Sequence, residues 1–107
     1  MKLIIAIVSK DDASTVMKEL IKQKFFVTKL ASTGGFLRSG NTTLMIGTRD
    51  DDVDHAIEII TEFSKNRKEV VPNSFANEFG LMNAIPIEVN VGGATMFVVD
   101  VEKFKKV

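Results

Sequence analysis

Leu3-Ile4-Ile5-Ala6-Ile7-Val8-Ser9-Lys10-Asp11-Asp12 and Thr42-Thr43-Leu44-Met45-Ile46-Gly47-Thr48-Arg49-Asp50-Asp51 state one pattern twice. Each is an apolar, strand-like run, then a basic residue, then two aspartates, then a helical period. Leu3 to Val8 is rich in Ile and Val, as a central strand covered on at least one face is. Asp11 or Asp12 is expected to cap the first helix by accepting from free backbone N–H groups. Ala13, Val16, Met17, Leu20 and Ile21 fall on one face of it. Thr42 to Thr48 is the second such strand. Asp50, Asp51 and Asp52 crowd the next helix start, where the helix dipole favours negative charge. Val53, Ala56, Ile57, Ile60 and Phe63 form that helix's expected buried face.

Working outward, the first helix fades at Lys22-Gln23-Lys24, and Phe25 to Leu30 returns to strand-like residues. Two β-α-β halves in one short chain predict an α+β fold, a ferredoxin-like split βαβ sandwich. Ile85 to Val91 is assigned the closing strand. Met96 to Val101 is read as an added C-terminal strand after a Gly92-Gly93 hairpin turn. Between the second helix and Ile85, 67–84 has no clear period and is read as a long loop, of the kind that is functional or disordered in a small domain. Its Phe75, Phe79, Leu81 and Met82 suit packing on a neighbouring subunit or ligand, or on the chain's own core.

The whole chain, residues 1–107, is expected to form a single domain. Hydrophobic residues make up 45% and charged residues 26%, ordinary globular values. Fourteen Lys and Arg balance fourteen Asp and Glu, so no global field favours a DNA or RNA polymer. Without cysteine there is no disulfide and no thiolate metal site. The N-terminal apolar run is too short for a signal peptide, and no stretch approaches the roughly 18 apolar residues of a membrane span. Cytoplasmic residence without membrane insertion is the expectation.

The segment Ser32-Thr33-Gly34-Gly35-Phe36-Leu37-Arg38-Ser39-Gly40-Asn41 is the most informative for chemistry. Backbone N–H groups of a glycine-rich loop can form an anion-binding concavity. Lys29 and Arg38 add charge, and Arg38 can hold a phosphate with two N–H groups. Phe36 and Leu37 offer cover to a base. A plain turn between strands is the competing reading. Gly35 to Thr42 narrowly misses a P-loop: Asn41 stands where the essential Lys belongs, and a strand follows instead of a helix, so that motif is rejected. Asn41-Thr42-Thr43 fits a glycosylation sequon, which has no meaning without secretion.

Catalysis finds little support. The one histidine, His55, sits beside the acidic cluster, and no second His or Cys can complete a triad or a zinc site. Asp50, Asp51, Asp52 and Asp54 lack the EF-hand spacing and read better as charge at a helix start. Neither a catalytic residue nor a metal ligand nor a cofactor is assigned. Lys103, Lys105 and Lys106 form a basic tail, solvated by default and able to reach an anionic ligand.

Two long segments resemble the PII-like cyclic-di-AMP receptor family. One runs from Thr28 through Thr43. The other is Pro86-Ile87-Glu88-Val89-Asn90-Val91-Gly92-Gly93-Ala94-Thr95-Met96-Phe97-Val98. The start of the chain also fits, so the resemblance covers nearly all of it. It implies a bacterial, PII-like signal-transduction protein, a homotrimer holding cyclic-di-AMP in clefts between subunits. Loops would reorder to signal to an unknown partner protein, without catalysis. It implies that Thr28 contacts phosphate, that Gly35, Phe36 and Leu37 line a base pocket, and that Asn41 and Gly47 contact an adenine. It implies further that a neighbour supplies Phe97, with Gly92 close by. Where family members often carry Arg, this chain has Phe26, and Lys106 stands where Gln is usual. The 67–84 loop is shorter and lacks the family's Gly-Gly and Tyr pattern. The alternatives are a diverged interaction module with another nucleotide or none, a small nucleotide hydrolase using Asp51 or His55, and a metal-binding trimer.

Overall fold

A computed structural model describes residues 1–30, 40–71 and 87–107. The first apolar run is β1 (Lys2–Ser9), followed directly by α1 (Lys10–Lys22) and, after a short turn, β2 (Phe26–Leu30). The second is β3 (Asn41–Thr48), which leads through a 3-10 turn at Asp50–Asp52 into α2 (Val53–Phe63). Then come β4 (Arg67–Val71), β5 (Ile87–Val91) and β6 (Ala94–Asp100). Four strands form an antiparallel sheet in the order β2-β3-β1-β6, with β3 inserted between the two strands that α1 connects. This is the ferredoxin-like arrangement that the repeated pattern predicts.

The core lies on the helix side of the sheet. Ile4, Ala6 and Val8 of β1 meet Leu44 and Ile46 of β3, and Ala13, Val16 and Leu20 of α1 pack onto them with Ala56, Ile59 and Ile60 of α2. Two positions on the expected helical faces shift. Ile21 is 55% exposed, outside the face of α1 that packs on the sheet. Ile59 is buried and Ile57 only half-buried, because 56, 59, 60 and 63 are the positions that share a face at helical spacing.

The helix cap also differs from expectation. Ser9 is the N-cap of α1, and its hydroxyl accepts from the Asp11 N–H at 3.3 Å. Asp12 turns inward instead: it is 7% exposed and accepts two hydrogen bonds from the Arg67 guanidinium, at 2.9 and 3.2 Å. These bonds raise the Arg67 pKa above its already high value. Ser9→Ala is therefore the change that uncaps the helix. It is expected to lower stability by about 1 kcal/mol, read as a thermal midpoint roughly 5 °C lower, while Asp11→Ala does not.

The strand assignments near the C-terminus exchange roles. β6, read from sequence as an addition, completes the main sheet against β1, with Ile5 opposite Phe97. Ile87–Val91, expected to close the sheet, pairs with Arg67–Val71 in a separate two-stranded ribbon. The first residues of the expected long loop are thus a strand. The remainder of that segment, with Phe75, Phe79, Leu81 and Met82, lies outside the described residues. Among the described residues, β4 and β5 pair with each other and with no strand of the main sheet.

A lone two-stranded ribbon is marginal in water, so its root must be anchored. Arg67 supplies one anchor through Asp12. The Gly93 N–H donates to the Ser64 carbonyl and supplies another. Gly92 and Gly93 have φ of +83° and +85° and do not form a hairpin, because β5 and β6 pair with different strands. They form the corner at which the chain leaves the ribbon and enters the sheet.

Candidate functional site

The helices cover one face of the main sheet. Directly opposed residues of an antiparallel pair share a face, so the register defines the other one. Thr28 lies opposite Met45, and Gly47 lies opposite both Phe26 and Leu3. Asn41 occupies the same side of β3, two residues at a time from Gly47. Phe97 lies opposite Ile5, again on this side. Four residues singled out from the sequence, Thr28, Asn41, Gly47 and Phe97, therefore share the face opposite α1 and α2. Phe26 and Phe97 there are 81% and 53% exposed.

A groove of about 720 Å³ opens at one end of this face. Thr28, Gly47 and Lys106 line it, together with Met1, Leu3, Phe26, Met45, Val101 and Phe104. Its walls are mainly apolar, with the Thr28 hydroxyl and the Lys106 ammonium as polar groups. Lys106 Nζ stands 5.8 Å from the centroid of the Phe26 ring, within cation–π range. The Met1 ammonium is paired with Asp50 at 3.0 Å, and this hydrogen bond holds the Asp50 carboxyl below its usual range. Lys2 pairs with Asp100 across the β1–β6 ladder, and that bond raises its pKa.

Asn41 and Gly92 are at the other end. They line a smaller hollow of about 230 Å³ with Gly93, Thr95 and neighbouring strand residues. Asn41 and Gly47 are six residues apart on β3, roughly 20 Å at the rise of a strand, much longer than one purine. Thr28 and Phe97 are on opposite edge strands, three inter-strand spacings or about 14 Å apart. Gly35, Phe36, Leu37 and Arg38 lie outside the described residues.

The acidic cluster does not converge. Asp50 binds the N-terminus, Asp51 lies 3.9 Å from Arg49, and Asp52 begins α2. Among the described residues, no group of three or more His, Asp or Glu side chains is placed to hold a metal ion. His55 is exposed and its ring leans on Phe25 at 5.8 Å.

Val101, Phe104 and Met45 were not singled out from the sequence as site residues. Phe104 carried a signal, as an aromatic set among Lys103, Lys105 and Lys106. Met45 and Leu3 carried another: β1 and β3 are apolar at positions of both faces, although helices cover only one.

A family model described as "Cyclic-di-AMP receptor" matches residues 1–107, the entire chain. Among solved structures, the chain is similar to a functionally unknown protein from Pediococcus pentosaceus ATCC 25745. The two are 42% identical with a TM-score of 0.78, and the match covers 99% of this chain and 96% of that one. No helix among the described residues is long and apolar enough to cross a membrane.

Proposed function

The chain belongs to the cyclic-di-AMP receptor family, and from that premise we propose that it is a cytoplasmic signal-transduction protein working as a homotrimer. Each cleft between subunits holds one cyclic-di-AMP, and ligand reorders the adjoining loops for a downstream protein. The protein binds its nucleotide and does not turn it over.

The observation that carries this reading is the placement of Thr28 and Phe97 on opposite edges of the sheet face opposite the helices. About 14 Å of sheet separates them within a subunit. A base held at Thr28 therefore meets the Phe97 of a neighbouring subunit more readily than its own. Asn41 and Gly47, roughly 20 Å apart, likewise serve different bases or different subunits. An exposed apolar face with Ile5, Met45, Phe97 and Val99 is also the kind of surface that other subunits cover.

The ligand's two phosphates meet Thr28, Lys106 and Arg38, and its adenines lie against Phe36, Leu37 and Phe97. Asn41 can read an adenine edge with one acceptor and one donor. Gly35 and Gly47 let the ligand approach backbone, and Gly92 lies at the hollow beside Asn41. Calorimetric titration with cyclic-di-AMP tests the reading, with cyclic-di-GMP, ATP and AMP as controls and the assembly mass measured in the same buffer. Selective binding near one ligand per subunit of a trimer, with the nucleotide recovered intact, is expected. A monomer, or a well-folded trimer without response to cyclic-di-AMP, overturns it.

A further inference from the structure

We infer that Phe26 is the stacking platform for one purine of the bound nucleotide, with Gly47 as the floor beneath it and Lys106 as the cation that meets the adjoining phosphate. The inference rests on the nucleotide-receptor reading above.

Two features of the groove belong together. Phe26 is 81% exposed on a strand, and its cross-strand neighbour is Gly47, so its partner on β3 has no side chain to cover the ring. Among the described residues, nothing in the fold requires Gly47. Its φ is ordinary for any residue, and an added Cβ meets nothing within 4 Å. A glycine in the middle of a strand weakens that strand and often marks close approach by a ligand or backbone. A ring this exposed, beside a glycine that adds no side chain, leaves clearance for a flat guest.

Charge decides which guest. Lys106 Nζ lies 5.8 Å from the Phe26 centroid, inside the same groove. A purely apolar cover, such as a second copy's hydrophobic side chains, would take that ammonium out of water without a counter-charge. A nucleotide supplies both requirements: a π-face for Phe26 and an anion for Lys106, with the Thr28 hydroxyl on the same side of the sheet. Stacking is tolerant of sequence because every base has a π-face, so this slot contributes affinity and Asn41 contributes selection.

The test compares wild type, Phe26→Leu and Phe26→Tyr. Each is titrated with cyclic-di-AMP and, separately, with AMP. Binding is read by calorimetry, the adenine proton shifts by NMR and the assembly by mass. Stacking moves the adenine protons upfield in wild type and in Phe26→Tyr. In Phe26→Leu the shift disappears and affinity falls about tenfold to a hundredfold, with the assembly unchanged. If Phe26→Leu binds cyclic-di-AMP as wild type does, with the same proton shifts, the slot is overturned and the receptor reading stands. If Phe26→Leu alters the assembly mass, Phe26 is a subunit contact and the slot is again overturned. If neither nucleotide binds folded wild type, both are overturned.

Discussion

Gly92→Ala is expected to lower the thermal midpoint by roughly 10–20 °C. Gly92 has φ +83°, a region that costs an alanine about 1–2 kcal/mol. Its added Cβ would also press on the Lys65 carbonyl oxygen and come within 2.8 Å of Arg67 Nη1. Neither neighbour yields easily: the first is backbone, and the second is held by Asp12. Strain of this kind adds to the conformational cost, for about 2–4 kcal/mol in all, at about 5 °C per kcal/mol for a chain of this size. Gly93→Ala is the control. It has nearly the same φ, +85°, but its Cβ would meet only the Asn66 Cβ, at 4.0 Å. It is expected to cost about 1 kcal/mol. Scanning calorimetry on both variants gives the comparison, and equal losses would show that the corner does not depend on its packing against Lys65 and Arg67.

The corner also shows where local sequence reasoning stops. Two glycines between two strand-like runs read as a hairpin, and the residues alone give no reason to prefer anything else. The outcome depends on partners far away in sequence: β6 finds β1 and β5 finds β4. Both C-terminal runs have strand composition, and composition does not choose between partners. The same limit applies at Asp12. Its place at a helix start suggests a cap, but Arg67, fifty-five residues away, draws its carboxylate inward and leaves the cap to Ser9. What the period of the chain does specify is stronger. β1, α1, β2, β3 and α2 all appear close to their expected bounds. α1 and α2 bury a face at helical spacing, and β1 and β3 are apolar runs that bury alternate residues, whereas β2 is mostly exposed and is marked by its composition.

The site divides along the same line. Residue types in the glycine-rich segment pointed to phosphate and base, and family resemblance assigned the contacts. The common face of Thr28, Asn41, Gly47 and Phe97 follows from strand register, which the sequence does not print. The groove around Phe26 needed both the register and the return of the C-terminal tail, which brings Val101, Phe104 and Lys106 to the N-terminal end of β1. Phe26 read in isolation is a missing cation. Opposite Gly47 and within reach of Lys106, it is a largely exposed aromatic ring with a positive charge beside it.

Gly47→Val separates fold from ligand most sharply. The added Cβ meets nothing within 4 Å among the described residues, and the methyl groups beyond it rise into the groove between Leu3 and Phe26 rather than into the core. A β-branched residue suits a strand better than glycine, and stability is expected to hold or to rise by about 0.5–1 kcal/mol. The same methyl groups stand on the floor between Leu3 and Phe26, the residues that flank Gly47 in the sheet. A base lying there loses its stacking position, and the phosphate beside it loses its alignment with Thr28. Affinity for cyclic-di-AMP is expected to fall about a hundredfold or more, roughly 3 kcal/mol. Gly47→Ala, with one methyl group, should fall between Val and wild type. Calorimetric titration alongside thermal scans and assembly mass tests the series. A graded loss of binding on an intact, equally stable assembly makes the glycine a clearance for ligand. Undiminished binding by Gly47→Val would show that the floor is unused, and loss of the assembly would give the position to a neighbouring subunit instead.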